Sequence, residues 1–199
     1  MTEKLTQIAQ TLRANGFAVS LFETGAEAAA YLDRVIDGKT VGFGGSVTLR
    51  DMGLYRMLSA HNQIFSHMET GDMSQIRGAA TAQVYLTSVN ALAETGELIN
   101  IDGVGNRIAA SVYGHEKVYF VIGRNKLAGS MDEAIRRARN VAAPLNARRK
   151  QTKTPCAATA DHCYDCRSPE RICRAMTLIW QPMIGMESEI VLINEDLGF

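Results

Sequence analysis

No cysteine lies before Cys156 or after Cys173, so the chain has no thiol with which to crosslink distant segments. Excess charge is missing as well. Twenty-one Lys and Arg balance 21 Asp and Glu, and no overall field draws the chain to nucleic acid or anionic lipid. No apolar stretch approaches the roughly 18 residues of a membrane span. The start, Met1-Thr-Glu-Lys-Leu5, carries charge where a secretory leader would place its apolar run. The expectation is a cytoplasmic protein that binds neither membrane nor nucleic acid. Internal repeats and low-complexity tracts are absent, as are the Gly-x-Gly-x-x-Gly spacing of a dinucleotide fold and the Gly-x4-Gly-Lys of a P-loop. What remains is 199 residues, 46% hydrophobic and 21% charged, enough to bury one substantial core.

Helical and extended patterns alternate along the chain. Leu5, Ile8, Ala9 and Leu12 make an amphipathic opening helix, and Phe17–Phe22 reads as a strand. Thr24-Gly-Ala-Glu27 is a capping box before a helix over Ala28–Asp37, which Gly38 ends ahead of a strand over Thr40–Phe43. Leu49–Leu58 and Met73–Ala80 read as helices, Gln63–Ser66, Gln83–Thr87, Leu98–Ile101 and Val118–Ile122 as strands, and Asp132–Ala142 as a further helix. This order predicts an α/β fold, a mostly parallel sheet with helices on both faces. Met176–Trp180 and Glu189–Ile193 add two extended runs, expected as edge strands or a hairpin. Composition shifts near Pro144, which suggests a body over residues 1–147 and a small cysteine-bearing segment over 148–199 packed on it. The basic cluster Arg136, Arg137, Arg139, Arg148, Arg149 and Lys150 reads as a solvated helix face.

The four cysteines fall as Cys156-x6-Cys163-x2-Cys166-x6-Cys173. Several soft sulfur donors on one short segment suit a metal or cluster, and Arg167, Arg171 and Arg174 would offset the negative charge of such a site. Ser168-Pro169 looks like a helix start, placing Cys173 on the second turn. Two local disulfides are the alternative, disfavoured in a long chain without a secretory segment. The spacing fits zinc or a 4Fe–4S cluster, with a slight lean to the cluster, and His162 is a possible substitute ligand.

Three segments at strand ends hold the candidate site. Gly42-Phe-Gly44-Gly45-Ser46-Val-Thr48 is a glycine-rich turn running into a helix, either a cradle for an anionic or carbonyl ligand or a plain βα turn with Ser46 as N-cap. Thr87-Ser88-Val-Asn90 through Glu94-Thr95-Gly96, followed by Asp102-Gly103-Val-Gly105-Asn106-Arg107, concentrates small and polar residues between apolar strands. The reading is a strand that delivers Ser88 and Asn90 and a short helix ending at Glu94. Buried polar groups cost free energy without partners, so the density points to function, against a plain turn network. Asn125-Lys126 follows a strand, where an ammonium would neutralise a carboxylate or phosphate.

The order of these motifs, Gly-Gly-Ser-x-Thr, Thr-x-x-Asn-Ala-x-Ala-Glu-Thr-Gly-x-Leu, Asp-Gly-x-Gly-Asn-Arg, Asn-Lys, Ala142-Ala-Pro-Leu-Asn146 and Ser168-Pro-Glu-Arg-Ile-Cys173, resembles the lactate-utilization (LUD) domain family, in a stand-alone branch that carries the cysteine segment. The resemblance implies a fold similar to the sugar-phosphate isomerase and CoA-transferase superfamily, with formyltetrahydrofolate cyclo-ligase as another relative. It also implies a connection with bacterial lactate oxidation, often beside iron–sulfur proteins. By analogy the ligand site lies around Gly44, Gly45, Ser46, Glu94, Asp102 and Asn106, with Glu94 the position to compare with the CoA-transferase nucleophile. Two functions follow as expectations. One is an enzyme or subunit acting on a small hydroxy- or keto-carboxylate, or on a phosphorylated or CoA-linked relative. Arg107 or Lys126 would hold the anion, and Glu94 or Asp102 would act as base or nucleophile. The other is a non-catalytic subunit or regulatory binding protein whose cysteine site carries electrons to redox partners or is purely structural zinc.

Overall fold

The computed structural model describes residues 2–199. Thr2 caps helix α1 (Glu3–Ala14) by accepting from the Leu5 amide, and Leu5, Ile8, Ala9 and Leu12 are its buried stripe. After β1 (Ala18–Phe22) comes α2 (Gly25–Val35), opened by the anticipated capping box. Thr24 Oγ1 accepts from the Glu27 amide at 3.2 Å, and the Glu27 carboxylate accepts from the Thr24 amide at 3.2 Å. β2 (Thr40–Phe43) lies where the sequence puts it. The single helix expected over Leu49–Leu58 is two, α3 (Val47–Asp51) and α4 (Leu54–Leu58), because Gly53 between them takes a left-handed backbone, φ 67°.

β3 (Gln63–Phe65), α5 (His67–Thr70), α6 (Gln75–Ala80) and β4 (Val84–Thr87) follow. The short helix expected before Glu94 is instead strand β5 (Ala91–Ala93), paired antiparallel with β6 (Leu98–Asp102). Ala, Leu and Glu are good helix formers, but three residues do not overcome helix nucleation, and burial between two strands decides the outcome. The chain continues through α7 (Asn106–Val112), β7 (Lys117–Gly123), a 3₁₀ turn at Arg124–Lys126 and β8 (Leu127–Ala128). Then α8 (Met131–Arg137) runs through a π-helical stretch, Ala138–Ala142, straight into α9 (Ala143–Arg149). Pro144 has no N–H to give the carbonyl one turn back, and the backbone widens there, with the Ala143 amide bonding to the Ala138 carbonyl. The division expected after residue 147 therefore falls inside a helix. Helix α10 (Pro155–Thr159) carries Cys156. No helix starts at Ser168: its hydroxyl donates to the Lys153 carbonyl at 2.9 Å, and Cys173 sits on irregular backbone just before β9 (Ala175–Ile179). β10 (Glu187–Ile193) closes the fold.

Six strands form an all-parallel sheet in the order β1-β10-β7-β4-β2-β3. The last strand, expected at an edge, lies between β1 and β7. Its Ile190, Val191, Leu192 and Ile193 are all 0% exposed, the continuous apolar run of a strand covered on both faces. Val118, Phe120 and Ile122 of β7 face a core closed by α1, α6 and a second sheet, while Tyr119 and Val121 face the core under α2, α3 and α4. The second sheet, in the order β8-β5-β6-β9, was not anticipated; α8 and the π-helical stretch cover its far side. The C-terminal region thus supplies an edge strand to one sheet and a central strand to the other.

Candidate functional site

A cavity of about 470 Å³ opens at the carboxyl ends of β2, β4, β6 and β7, where open parallel sheets place their ligands. From β2 come Gly45, Ser46 and Thr48. Ser46 is the N-cap of α3, its Oγ accepting from the Leu49 amide at 3.3 Å, so the turn is both a structural cap and a cavity wall. Gly44 stands behind this wall: a Cβ there would lie 2.9 Å from Thr87 Oγ1 and 3.2 Å from Arg107 Cγ. From β4 come Ser88 and Asn90, and Asn90 Oδ1 accepts from the Ile101 amide at 2.7 Å, tying the β4–β5 link to β6.

Lys126 forms part of the floor and is 3% exposed. Its Nζ donates to Thr48 Oγ1 at 2.6 Å and to Ser88 Oγ at 2.7 Å. Thr48 sends its own proton to the Leu197 carbonyl, 3.2 Å away, which leaves its oxygen to accept. Burial, then the nearby Arg137 and Arg107 cations, push the Lys126 ammonium down to about 7, against a smaller opposing pull from Asp51. Asn125 does not line the cavity. It anchors the chain's end, with Nδ2 donating to the Gly198 carbonyl at 3.1 Å and Oδ1 accepting from the Leu197 amide at 3.1 Å.

Asp102 ends β6 at the rim. One carboxylate oxygen accepts from the Gly103 amide at 2.8 Å, the other from the amides of Arg107 at 2.9 Å and Ile108 at 3.4 Å, capping α7. The Arg107 guanidinium is fixed by the Ile101 carbonyl at 2.6 Å and by Asn100 Oδ1 at 3.4 Å. Gly103 and Asn106 complete this wall. Opposite stand Asn146, Arg149 and Lys150 of α9. Over the opening run Glu170, Arg171, Ile172 and Arg174, so the cysteine segment roofs the cavity.

Six basic side chains line the space, Arg107, Lys126, Arg149, Lys150, Arg171 and Arg174, against two side-chain carboxylates, Asp102 and Glu170. Burial and then the Arg149 cation lower the Lys150 ammonium, and burial followed by the Lys150 charge lowers His67. In both, burial dominates, a neighbouring cation adds to it, and the Asp102 carboxylate pulls the other way. A family model described as LUD domain matches residues 5–193.

The chain belongs to the LUD domain family. Its fold is shared by a DUF162 family protein from Deinococcus radiodurans, which aligns over 96% of each chain with a TM-score of 0.56 at 12% identity. Ribose 5-phosphate isomerase A from Neisseria gonorrhoeae aligns over 54% of each chain at 14% identity with a TM-score of 0.36, a likeness too slight to bear on this one. Among curated proteins, none matches the chain.

In this LUD domain, Glu94 does not line the cavity: it sits in the β5–β6 turn and pairs with Lys4 at 2.5 Å. Thr95 beside it hydrogen-bonds Glu97, Gly96 makes the turn, and Gly105 precedes α7 between two wall residues, Val104 and Asn106; none of the three lines the cavity itself. Arg149 and Lys150, read as a solvated face, are exposed, and they also border the cavity. His67 and Phe199 are further wall residues that the sequence did not suggest. His67 Nδ1 is buried without a hydrogen-bond partner among the described residues.

All four cysteines are free and partly buried. Arg171 Nε donates to Cys173 Sγ at 3.2 Å, the Asp165 amide donates to Cys163 Sγ at 3.4 Å, and Cys156 Sγ lies 3.5 Å from Thr154 Oγ1. The donor chemistry suits a soft metal or cluster, but the arrangement does not. Among the described residues, no group of three or more His, Cys, Asp or Glu is placed to hold a metal ion.

Proposed function

We propose that this LUD domain takes a small hydroxy- or keto-carboxylate, or a phosphorylated or CoA-linked relative, in a lactate-utilization role. The observation that carries the reading is the excess of cations over carboxylates around a strand-end cavity. An anion there would offset the neighbouring cations that add to the effect of burial on Lys150 and His67. Arg107 presents a pre-fixed guanidinium, Arg149 and Lys150 face it, and Ser46 with neighbouring backbone amides orients the ligand oxygen. With Glu94 outside the cavity, Asp102 is the group left to act as base. Calorimetric titration with lactate, pyruvate and phosphate tests this. Binding weakens with salt, and Lys150→Met lowers affinity by roughly tenfold, as for loss of one charge-assisted contact. Affinity untouched by both Lys150→Met and Arg149→Met would remove the cavity from consideration.

A second reading, a binding subunit without chemistry of its own, draws support from Asp102. Its two oxygens already serve three backbone amides, as a helix cap does. Asp102→Asn separates the two: under the enzyme reading turnover falls while ligand affinity holds.

For the cysteine segment we infer a thiolate site for a 4Fe–4S cluster or zinc, serving redox partner proteins in the first case and structure in the second. Support comes from four free thiols within one segment and from Arg171 and Arg139 beside the Cys173 and Cys163 sulfurs. Ligation would have to draw the segment together, as happens where metal binding is coupled to folding. Elemental analysis with a visible spectrum on anaerobically purified protein distinguishes the metals. Cys163→Ser with Cys166→Ser lowers metal content and stability together, and full metal retention in the double variant rejects the site.

A further inference from the structure

We propose that Lys126 is an imine-forming residue, its amine held on the cavity floor by Thr48 and Ser88 to condense with the carbonyl of a small 2-oxo acid whose carboxylate the surrounding cations hold. The inference rests on the cavity being the ligand site and narrows the ligand to one that carries a ketone or aldehyde beside its acid group.

The geometry separates Lys126 from the other five cations. It is 3% exposed, and among the described residues its hydrogen bonds go to neutral hydroxyl oxygens and to no carboxylate. A neutral amine has two hydrogens and one lone pair. Two hydrogens satisfy Thr48 and Ser88, and the lone pair is then the one unengaged valence, on an atom that helps line the cavity. An ammonium in the same place would keep a third, unmatched N–H and a buried charge beside Arg107 and Arg137. A lysine desolvated next to other cations is the standard means of making that amine nucleophilic near neutral pH. Arg107, Arg149 and Lys150 remain to bind the carboxylate.

The step balances without an added redox partner. The Nζ lone pair forms a bond to the carbonyl carbon, the C=O π pair moves to oxygen, and one nitrogen proton passes to that oxygen to give a carbinolamine. The Ser88 hydroxyl lies 2.7 Å from Nζ and can relay the proton. The C–O bond then breaks, oxygen leaves as water with a second proton drawn from solvent, and the nitrogen lone pair forms the C=N bond while nitrogen keeps its remaining hydrogen. The protonated imine withdraws electrons from the bonds on either side of the former carbonyl carbon.

The test traps the imine with cyanoborohydride in the full-length protein, using glyoxylate and pyruvate as probes near pH 7, followed by peptide mapping. Reduction should place one reduced oxo acid on Lys126. Its neutral fraction near pH 7 exceeds that of an ordinary lysine by roughly a thousandfold, so Lys126 should outreact Lys4, Lys39, Lys117, Lys150 and Lys153 by about tenfold or more. Lys126→Met should lose this adduct while the other five react as before, with circular dichroism confirming that the variant folds. Label spread over the exposed lysines, with Lys126 unmodified in the parent protein, overturns the proposal. Phosphate titration read in parallel tells the two readings apart. Phosphate bound without a Lys126 adduct rejects the imine and leaves the anion site standing. Neither phosphate bound nor Lys126 labelled rejects both.

Discussion

The floor and the roof of the cavity are built by different means. The floor consists of strand ends whose positions follow from burial: β2, β4 and β7 are neighbours in the parallel sheet, and Thr48, Ser88 and Lys126, at 0%, 3% and 3% exposure, meet beyond their tips. The roof is irregular chain held by side chains reaching for nearby backbone. Arg171 donates to the carbonyls of Cys166 at 2.8 Å and Cys173 at 2.9 Å, and Arg174 donates to those of Arg171 at 3.0 Å and Pro169 at 2.9 Å. The two halves meet closely in one place. The Arg174 amide bonds to the Asp102 carbonyl at 2.9 Å, and the Ile172 carbonyl lies so near Gly103 that any Cβ would meet it at 2.7 Å. Hydrophobic burial fixes the floor to a degree that local polar contacts cannot match in the roof. The cavity's shape therefore depends on the order of the cysteine segment, whereas its chemistry at Lys126 does not.

The largest test of this contrast acts on the floor through pH. The folded value of Lys126, about 7, lies below the ordinary 10.5, so between those values the unfolded chain binds more protons than the folded one. Stability should rise as pH increases through that window, and the penalty for burying the charge should be fully present below it. Lys126→Met removes this rise, and the difference between parent and variant should change by on the order of 5 kcal/mol across the window. The buried Tyr85 phenol, whose value is raised by burial, works in the opposite sense above pH 10 in both proteins, so the comparison is best read below that point. Chemical denaturation at several pH values measures it; parallel curves for parent and variant would show that the Lys126 site is less desolvated than its contacts indicate.

The same contrast explains what was legible beforehand. β7 and β10 bury both faces, and such strands read as uninterrupted apolar runs, so their existence was evident while the central place of β10 was not: sheet order is decided by packing between segments far apart in sequence. Ser46, Thr48, Ser88, Asn90, Asp102, Arg107 and Lys126, which line one cavity, stand out in the sequence because polar residues between apolar strands need a reason to be there. Glu94 stands apart from these residues because the turn of the β5–β6 hairpin carries it toward Lys4, a pairing that local sequence does not reveal. Arg149 and Lys150 look like any solvated pair until the widened turn ahead of Pro144 sets the phase of α9. The roof was the least legible part. Ser168-Pro169 carries a helix-start signal, yet the Ser168 hydroxyl is spent on the Lys153 carbonyl and no apolar stripe follows to stabilise a helix.

The smallest effect expected separates roof from floor most directly. Arg171→Ala removes the donors to Cys166 and Cys173 from a partly exposed side chain, and its cost to global stability should not exceed about 1 kcal/mol. Its local effect should be larger, because nothing apolar replaces those contacts. Amide exchange over residues 163–174 should quicken, while β4 and β7, fully paired inside the sheet, keep their protection. Slower exchange would return if a bound metal, not Arg171, held the segment, so the measurement is made with and without a chelator. If Arg171→Ala instead accelerated exchange in β4 and β7 to the same extent, roof and floor would open as one cooperative unit, and the cavity could not be reshaped by the cysteine segment without unfolding the sheet beneath it.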